Sequence, residues 1–127
     1  MMNNPAGLFY TKTHEWAKQQ GIEVIVGITD HAQSELSDVV FIEFPKVGKK
    51  IKQGESAAVV ESVKAAYDIY APVSGKVIRI NTDVEKDPAL VNKEPYGKGW
   101  LFVLDEVNSE DFKKLMNKNQ YEEFLKR

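Results

Sequence analysis

The chain has 127 residues, 43% of them hydrophobic and 28% charged, which fits one domain with a modest core and an ordinary soluble composition. Its 19 acidic and 17 basic residues leave a net charge of −2 with no long run of either sign. That argues against nucleic acid as a partner, because phosphates demand a basic surface. The absence of cysteine excludes disulfides, thiolate catalysis and zinc–cysteine sites.

At the start, Met1-Met2-Asn3-Asn4-Pro5-Ala6-Gly7 carries neither the basic nor the apolar region of a signal peptide. No apolar stretch nears the roughly 18 residues of a membrane span, so a cytoplasmic protein without membrane attachment is expected. Glu15–Lys18, the turn Gln19-Gln20-Gly21 and the run Ile22–Ile28 read as a strand pair, with Ile22, Val24, Val26 and Ile28 at strand period. Thr29 or Asp30 then caps a short helix through about Leu36. Val39–Phe44 is an almost continuous apolar run ended by Pro45 and predicts a buried strand.

From Val47 onward, short strands are cut by Gly48, Gly54 and Gly75. Two β-prone runs, Ala57–Val60 and Tyr67–Tyr70, flank Glu61-Ser62-Val63-Lys64-Ala65-Ala66, which places Lys64 near the midpoint of a hairpin. Val47-Gly48-Lys49-Lys50-Ile51 is echoed by Ser74-Gly75-Lys76-Val77-Ile78 on the other side of Lys64, as a pseudo-symmetric pair of small sheets would require. Asp87-Pro88 suggests a helix start with Pro at the first helical position, and Pro95–Gly99 a turn into the strand Trp100–Leu104. The stripes Phe112, Leu115, Met116 and Tyr121, Phe124, Leu125 make the stretch from about 108 to 127 helical. Asn108 and Asn119 are its candidate caps, and its expected task is to cover an open sheet edge. No linker divides the chain, so residues 1–127 read as one domain.

The constellations of familiar enzymes are missing. His14-Glu15 begins like a zinc-protease helix, but the second histidine, His31, is not four residues away. Two histidines without cysteine make a poor transition-metal site. Ser62 beside Glu61 lacks the base and orienting group of a nucleophilic set, and Gly48-Lys49-Lys50 lacks the rest of a phosphate loop. Glu122-Glu123 reads as a solvated helix face. Phe41, Phe44, Trp100 and Phe102 read as core. On spacing alone Lys64 is a solvated charge in a turn.

The run Glu61-Ser62-Val63-Lys64-Ala65 followed by Asp68-Ile69-Tyr70-Ala71-Pro72-Val73-Ser74-Gly75 closely resembles the lipoylation segment of the H protein family of the glycine cleavage system. The resemblance continues through Tyr10–Trp16, Val26–Gln33, Asp38–Glu43, Leu90-Val91-Asn92 and Pro95–Leu101, in order along nearly the whole chain. It implies a mainly β fold, a barrel-sandwich hybrid of the biotinyl/lipoyl-carrier type with short helices and a C-terminal helical extension. It implies a non-catalytic carrier with lipoic acid in amide linkage to Lys64, and with Glu61, Ser62, Val63 and Ala65 as the turn read by a lipoate ligase or a lipoyl/octanoyl transferase. The implied partners are glycine decarboxylase, a pyridoxal-phosphate enzyme that loads an aminomethyl group, the tetrahydrofolate-dependent aminomethyltransferase that removes it, and dihydrolipoyl dehydrogenase, which reoxidises the dithiol. A biotin carrier of the same fold usually has methionines beside its lysine, where this chain has Val63 and Ala65. A lipoyl domain of a 2-oxo acid dehydrogenase is usually shorter and lacks the helical extension. A second role in the family would be the relay of lipoyl groups to other enzymes.

Acylation removes the charge of a lysine and adds an apolar chain. The lysine and lipoyl chain together span roughly eleven bonds, about 14 Å from Cα. Such an arm could fold back onto the body. Glu15, beside Trp16, is the candidate to pair a loaded amine there, against the plainer reading of a surface strand residue. At Tyr67 the family commonly has a small polar residue, so its ring bears on how the arm docks.

Overall fold

The computed structural model describes residues 4–127; of the N-terminal segment considered for a leader, Met1, Met2 and Asn3 lie outside the described residues. The chain opens with β1 (Phe9–Tyr10), β2 (Glu15–Gln20) and β3 (Glu23–Ile28), an antiparallel meander. After it come α1 (Asp30–Leu36), β4 (Val39–Glu43), β5 (Lys50–Ile51), β6 (Ser56–Ser62), β7 (Ala66–Tyr70) and β8 (Gly75–Ile80). Two short helices, α2 (Thr82–Lys86) and α3 (Leu90–Lys93), precede β9 (Phe102–Asp105). A 3-10 helix, Ser109–Lys114, and α4 (Lys118–Leu125) complete the chain.

The strands form two sheets, neither closed: one of order β1-β2-β3-β9-β8-β5 and one of order β4-β6-β7. The last strand in sequence, β9, thus lies between β3 and β8 in the middle of the larger sheet. Alternating side chains from the two sheets meet between them. Val24, Val26, Ile28, Val77, Phe102 and Leu104 face Ile42, Ala58, Val60 and Ile69 in one apolar core, each Val, Ile, Leu or Phe side chain contributing about 1.5–3 kcal/mol on burial. This is the mainly β, barrel-sandwich architecture with short helices and a C-terminal helix that the resemblance implies.

Leu8, Tyr10, Trp16 and Tyr121 form a second, aromatic cluster. Tyr10 and Tyr121 stack with centroids 4.7 Å apart, and the Trp16 indole N–H donates to the Pro95 carbonyl at 3.0 Å. Trp16 lies opposite Gly27 in the β2–β3 register. A Cβ at Gly27 would sit 2.6 Å from the indole ring, so only glycine fits beneath it. The C-terminal segment covers the edge of β1, as expected. Tyr10 N–H donates to Met116 O, and Met116 N–H to Tyr10 O, both at 2.8 Å.

The repeat flanking Lys64 takes a different form from two separate sheets. Its copies are neighbours in one sheet, with Lys50 opposite Lys76 and Ile51 opposite Gly75. Other expectations are corrected. Ile22 is 83% exposed, because it sits in the β2–β3 turn rather than on the strand. Val39–Phe44 is an edge strand: a register shift between Val39 and Phe41 leaves Val40 and Phe41 more than half exposed, while Val39 and Ile42 stay buried. Phe41 therefore leaves the expected aromatic core, and Phe102 alone of the four is fully buried. Pro88 precedes α3 instead of opening it, because its carbonyl accepts from Val91 N–H in a turn. Thr29 caps α1 as expected, its hydroxyl accepting from Ala32 N–H. In the C-terminal stretch Asn108 caps the 3-10 helix, not an α-helix. Asn117, and not Asn119, caps α4, in a reciprocal capping box with Gln120.

Candidate functional site

The β6–β7 ladder ends at the pair Glu61–Ala66, so Ser62-Val63-Lys64-Ala65 is the turn. A turn this tight leaves backbone donors facing inward, and serine is a residue that can satisfy them locally. The Ser62 hydroxyl accepts from Lys64 N–H at 3.2 Å and from Ala65 N–H at 3.3 Å. It lies within 3.3 Å of the Ala65 carbonyl, which also accepts from Ser62 N–H at 2.9 Å. The turn is anchored outside the hairpin as well, Val63 N–H donating to Asp38 O at 3.1 Å.

Ser62 is buried, and everything else on the turn faces out. Val63 is 67% exposed, and Glu61, Lys64 and Ala65 are exposed. The Lys64 ammonium donates to the Glu35 carbonyl in the last turn of α1 at 3.3 Å. Four of the turn residues singled out from sequence, and Glu61 beside them, are thus brought together. Tyr67 is half-buried on the inner face of the hairpin, opposite Val60 and packed against the main core.

Glu15 lies elsewhere, and it is buried, not a surface strand residue: only 1% of it is exposed. A carboxylate so placed needs donors. Oε1 accepts from the Thr11 and Thr13 hydroxyls at 2.5 Å each, and Oε2 from Tyr70 N–H at 3.1 Å. Burial pushes its carboxyl above the usual carboxylate range, and these hydrogen bonds offset part of the rise. It lines a cleft of about 260 Å³ with Thr13, Gln53, Tyr70, Pro72 and Lys114. Tyr70 is four residues beyond Ala66 on β7, about 13 Å at the rise of a strand. Glu15 is therefore set apart from the lysine turn, at the far end of β7.

Sequence reading left Thr11 and Thr13 without a role, although a buried acid with threonines two and four residues before it carries its own donors. It also left Asn92 without a role. The two histidines, distant in sequence, meet with ring centroids 4.4 Å apart. His14 Nδ1 bonds the Tyr121 hydroxyl at 2.8 Å, and His31 Nε2 faces Glu35 at 3.3 Å. Among the described residues no group of three or more His, Asp or Glu forms a metal-binding set, and no helix is long and apolar enough to cross a membrane.

Residues 8–127 match the family model described as glycine cleavage H-protein. A glycine cleavage system H protein of Acinetobacter baumannii is 54% identical over 121 residues, covering 95% of this chain and 98% of the relative. One from Thermus thermophilus is 52% identical over 124 residues, covering 98% and 97%. The crystal structure of a glycine cleavage system H protein from Mycobacterium marinum superposes with a TM-score of 0.87 at 35% identity, over 98% of this chain and all of that one. With its exposed lysine on a braced hairpin of the smaller of two open sheets, the chain belongs to the glycine cleavage H-protein family.

Proposed function

We propose that Lys64 is acylated by lipoic acid, and that the protein is a carrier and not a catalyst. It would pass the aminomethyl group of glycine from glycine decarboxylase to the aminomethyltransferase, and present the dithiol to dihydrolipoyl dehydrogenase. The observation that carries this reading is the exposed Lys64 on a turn whose backbone is fixed by Ser62 and Asp38. One amine among the 17 basic residues can be selected only by its position. Glu61 and Val63, exposed beside it, are available to a lipoate ligase or a lipoyl/octanoyl transferase without any unfolding. A cytoplasmic setting, where those enzymes and the lipoyl donor meet, belongs to the same proposal.

A lipoyl group held there supplies a disulfide that takes up the aminomethyl group and is left as a dithiol once that group is removed. The protein's own contribution is presentation and shelter. Tethering makes each encounter within a docked complex effectively intramolecular, at an effective concentration of the order of mM. The cleft at Glu15 lies at the far end of β7 from the lysine turn, and the arm would reach it by folding back along that strand. Its carboxylate, held by Thr11, Thr13 and the Tyr70 N–H, offers a partly desolvated negative charge for a cationic amine. Tyr67, half-buried on the strand leaving the turn, would bear on how the arm docks.

Intact mass is the direct test. Protein incubated with lipoate, ATP and a lipoate ligase should gain one lipoyl amide, and Lys64→Arg should gain none. Modification of Lys64→Arg would overturn the assignment. For the shelter, Glu15→Gln should speed decay of the aminomethyl-loaded form, and an unchanged decay rate would remove Glu15 from the mechanism.

A further inference from the structure

The lysine turn rests on the connection between α1 and β4, and that connection is itself in a costly conformation. Val63 N–H and the Lys64 ammonium both reach it, at Asp38 O and Glu35 O. Between those two carbonyls, Ser37 ends α1 at φ 65°, ψ −156°, a region that essentially only glycine occupies without strain. Such a conformation persists only where its surroundings hold it.

What holds it is one side chain from α3. Asn92 Oδ1 accepts from Val39 N–H at 2.9 Å. Its Nδ2 donates to Ser37 O at 2.8 Å and to Gln33 Oε1 at 3.1 Å. Gln33 is fixed in turn by donating to Asp30 at 2.8 Å. A single amide therefore clamps α1, the strained residue and the first residue of β4. The site has one donor and two acceptors, which only a carboxamide complements. A carboxylate would set an oxygen against Ser37 O and Gln33 Oε1.

We propose that Asn92 is a positioning residue for the modification of Lys64, setting the turn in the geometry that the acylating enzyme binds. The inference rests on the reading of Lys64 as the acylated residue. In that reaction the neutral Lys64 amine attacks the carbonyl carbon of a lipoyl adenylate. The amide C–N bond forms, the C–O bond to the phosphate breaks, AMP leaves and the amine proton passes to solvent. An enzyme that must place this amine binds only the competent turn. Its apparent affinity falls in proportion to the fraction of protein that holds that turn.

The test uses the full-length apo chain with lipoate ligase, ATP and lipoate, and follows initial rates by intact mass. In Asn92→Ala and Asn92→Asp, KM for the apo chain should rise about tenfold while kcat holds, the pattern of a depleted competent population. Amide exchange at Val63 and Val39 should speed up in the same folded samples. A purely structural role for Asn92 would lower thermal stability and leave KM of the folded protein unchanged, and that result overturns the proposal. Gln33→Ala, which strips one partner from the Asn92 amide and leaves α3 intact, serves if the Asn92 variants do not fold. A wild-type KM in that variant is equally fatal. Failure of the wild-type chain itself to accept lipoate would instead overturn the reading of Lys64.

Discussion

The hairpin turn and the aromatic cluster are held in opposite ways. At the turn no large side chain is buried: four backbone donors, from Ser62 to Ala65, are each matched to a named acceptor. In the aromatic cluster Tyr10, Trp16 and Tyr121 are almost completely buried, and their polar tips are bonded to Pro5, Pro95, His14 and Thr29. Hydrogen bonds fix direction while adding little net stability, of the order of 1 kcal/mol each. Buried rings supply stability in bulk. The contrast places geometry at the exposed lysine turn and bulk stability in the buried aromatic cluster.

Tyr121→Ala should break the contrast most visibly. Truncating a fully buried ring should cost about 3–5 kcal/mol, read as a fall in the denaturation midpoint, yet at temperatures where the variant folds its rate of lipoylation should match the wild type. Gly27→Ala should cost about 1–3 kcal/mol through overpacking against the Trp16 indole, again without changing lipoylation. Ser62→Ala should do the reverse. Its stability loss should be only about 1 kcal/mol, but KM for lipoylation should rise several-fold because the backbone N–H groups of Lys64 and Ala65 lose the Ser62 hydroxyl as their acceptor. Equal effects of Ser62→Ala and Tyr121→Ala on lipoylation would show that the two regions are not separable.

The smallest expected effect is a pH dependence of the aromatic cluster. Burial holds the His14 pKa below its ordinary 6.5, helped by the nearby His31 and opposed by Glu35. The unfolded chain therefore takes up this proton first on acidification, so the contribution is complete above pH 6.5 and is lost as the pH falls through the lower folded value. Glu15 runs the other way. Its raised folded pKa makes its contribution complete below the ordinary 4.5 and lost as pH rises through the folded value. Between pH 7 and 5, thermal midpoints of the wild type should fall more steeply than those of His14→Asn. Parallel curves would mean that protonation of His14 does not load the Tyr121 contact.

Much of the scaffold was legible because local patterns and tertiary packing agree. Val24, Val26 and Ile28 alternate and are buried, Thr29 caps the helix it precedes, and Lys64 falls on the hairpin turn. Legibility failed where the deciding factor was the neighbour. An apolar run says nothing about whether its strand lies inside a sheet or at its edge, so Val40 and Phe41 read as core although β4 has a partner on one side only. Asn117 and Asn119 are equivalent as residue types, and only the chain's pairing of Met116 with Tyr10 puts the first at the helix start. Of the candidate site, the turn was readable as a contiguous motif. The clamp at Asn92 was not, since it joins residues 33, 37, 39 and 92, which share no sequence pattern.

The central position of β9 bears on how the chain is made. Synthesis delivers β1, β2 and β3 early and β5 and β8 later, yet nothing joins these two groups in the larger sheet until Phe102–Asp105 arrives between them. Until then β3 and β8 each present an unpaired edge, which is a template for association with other chains. Long-range pairings of this kind form slowly. A nascent chain that has reached Lys64, halfway along the sequence, therefore still lacks the strand that completes the larger sheet. The hairpin turn thus gains its full support only in the finished polypeptide.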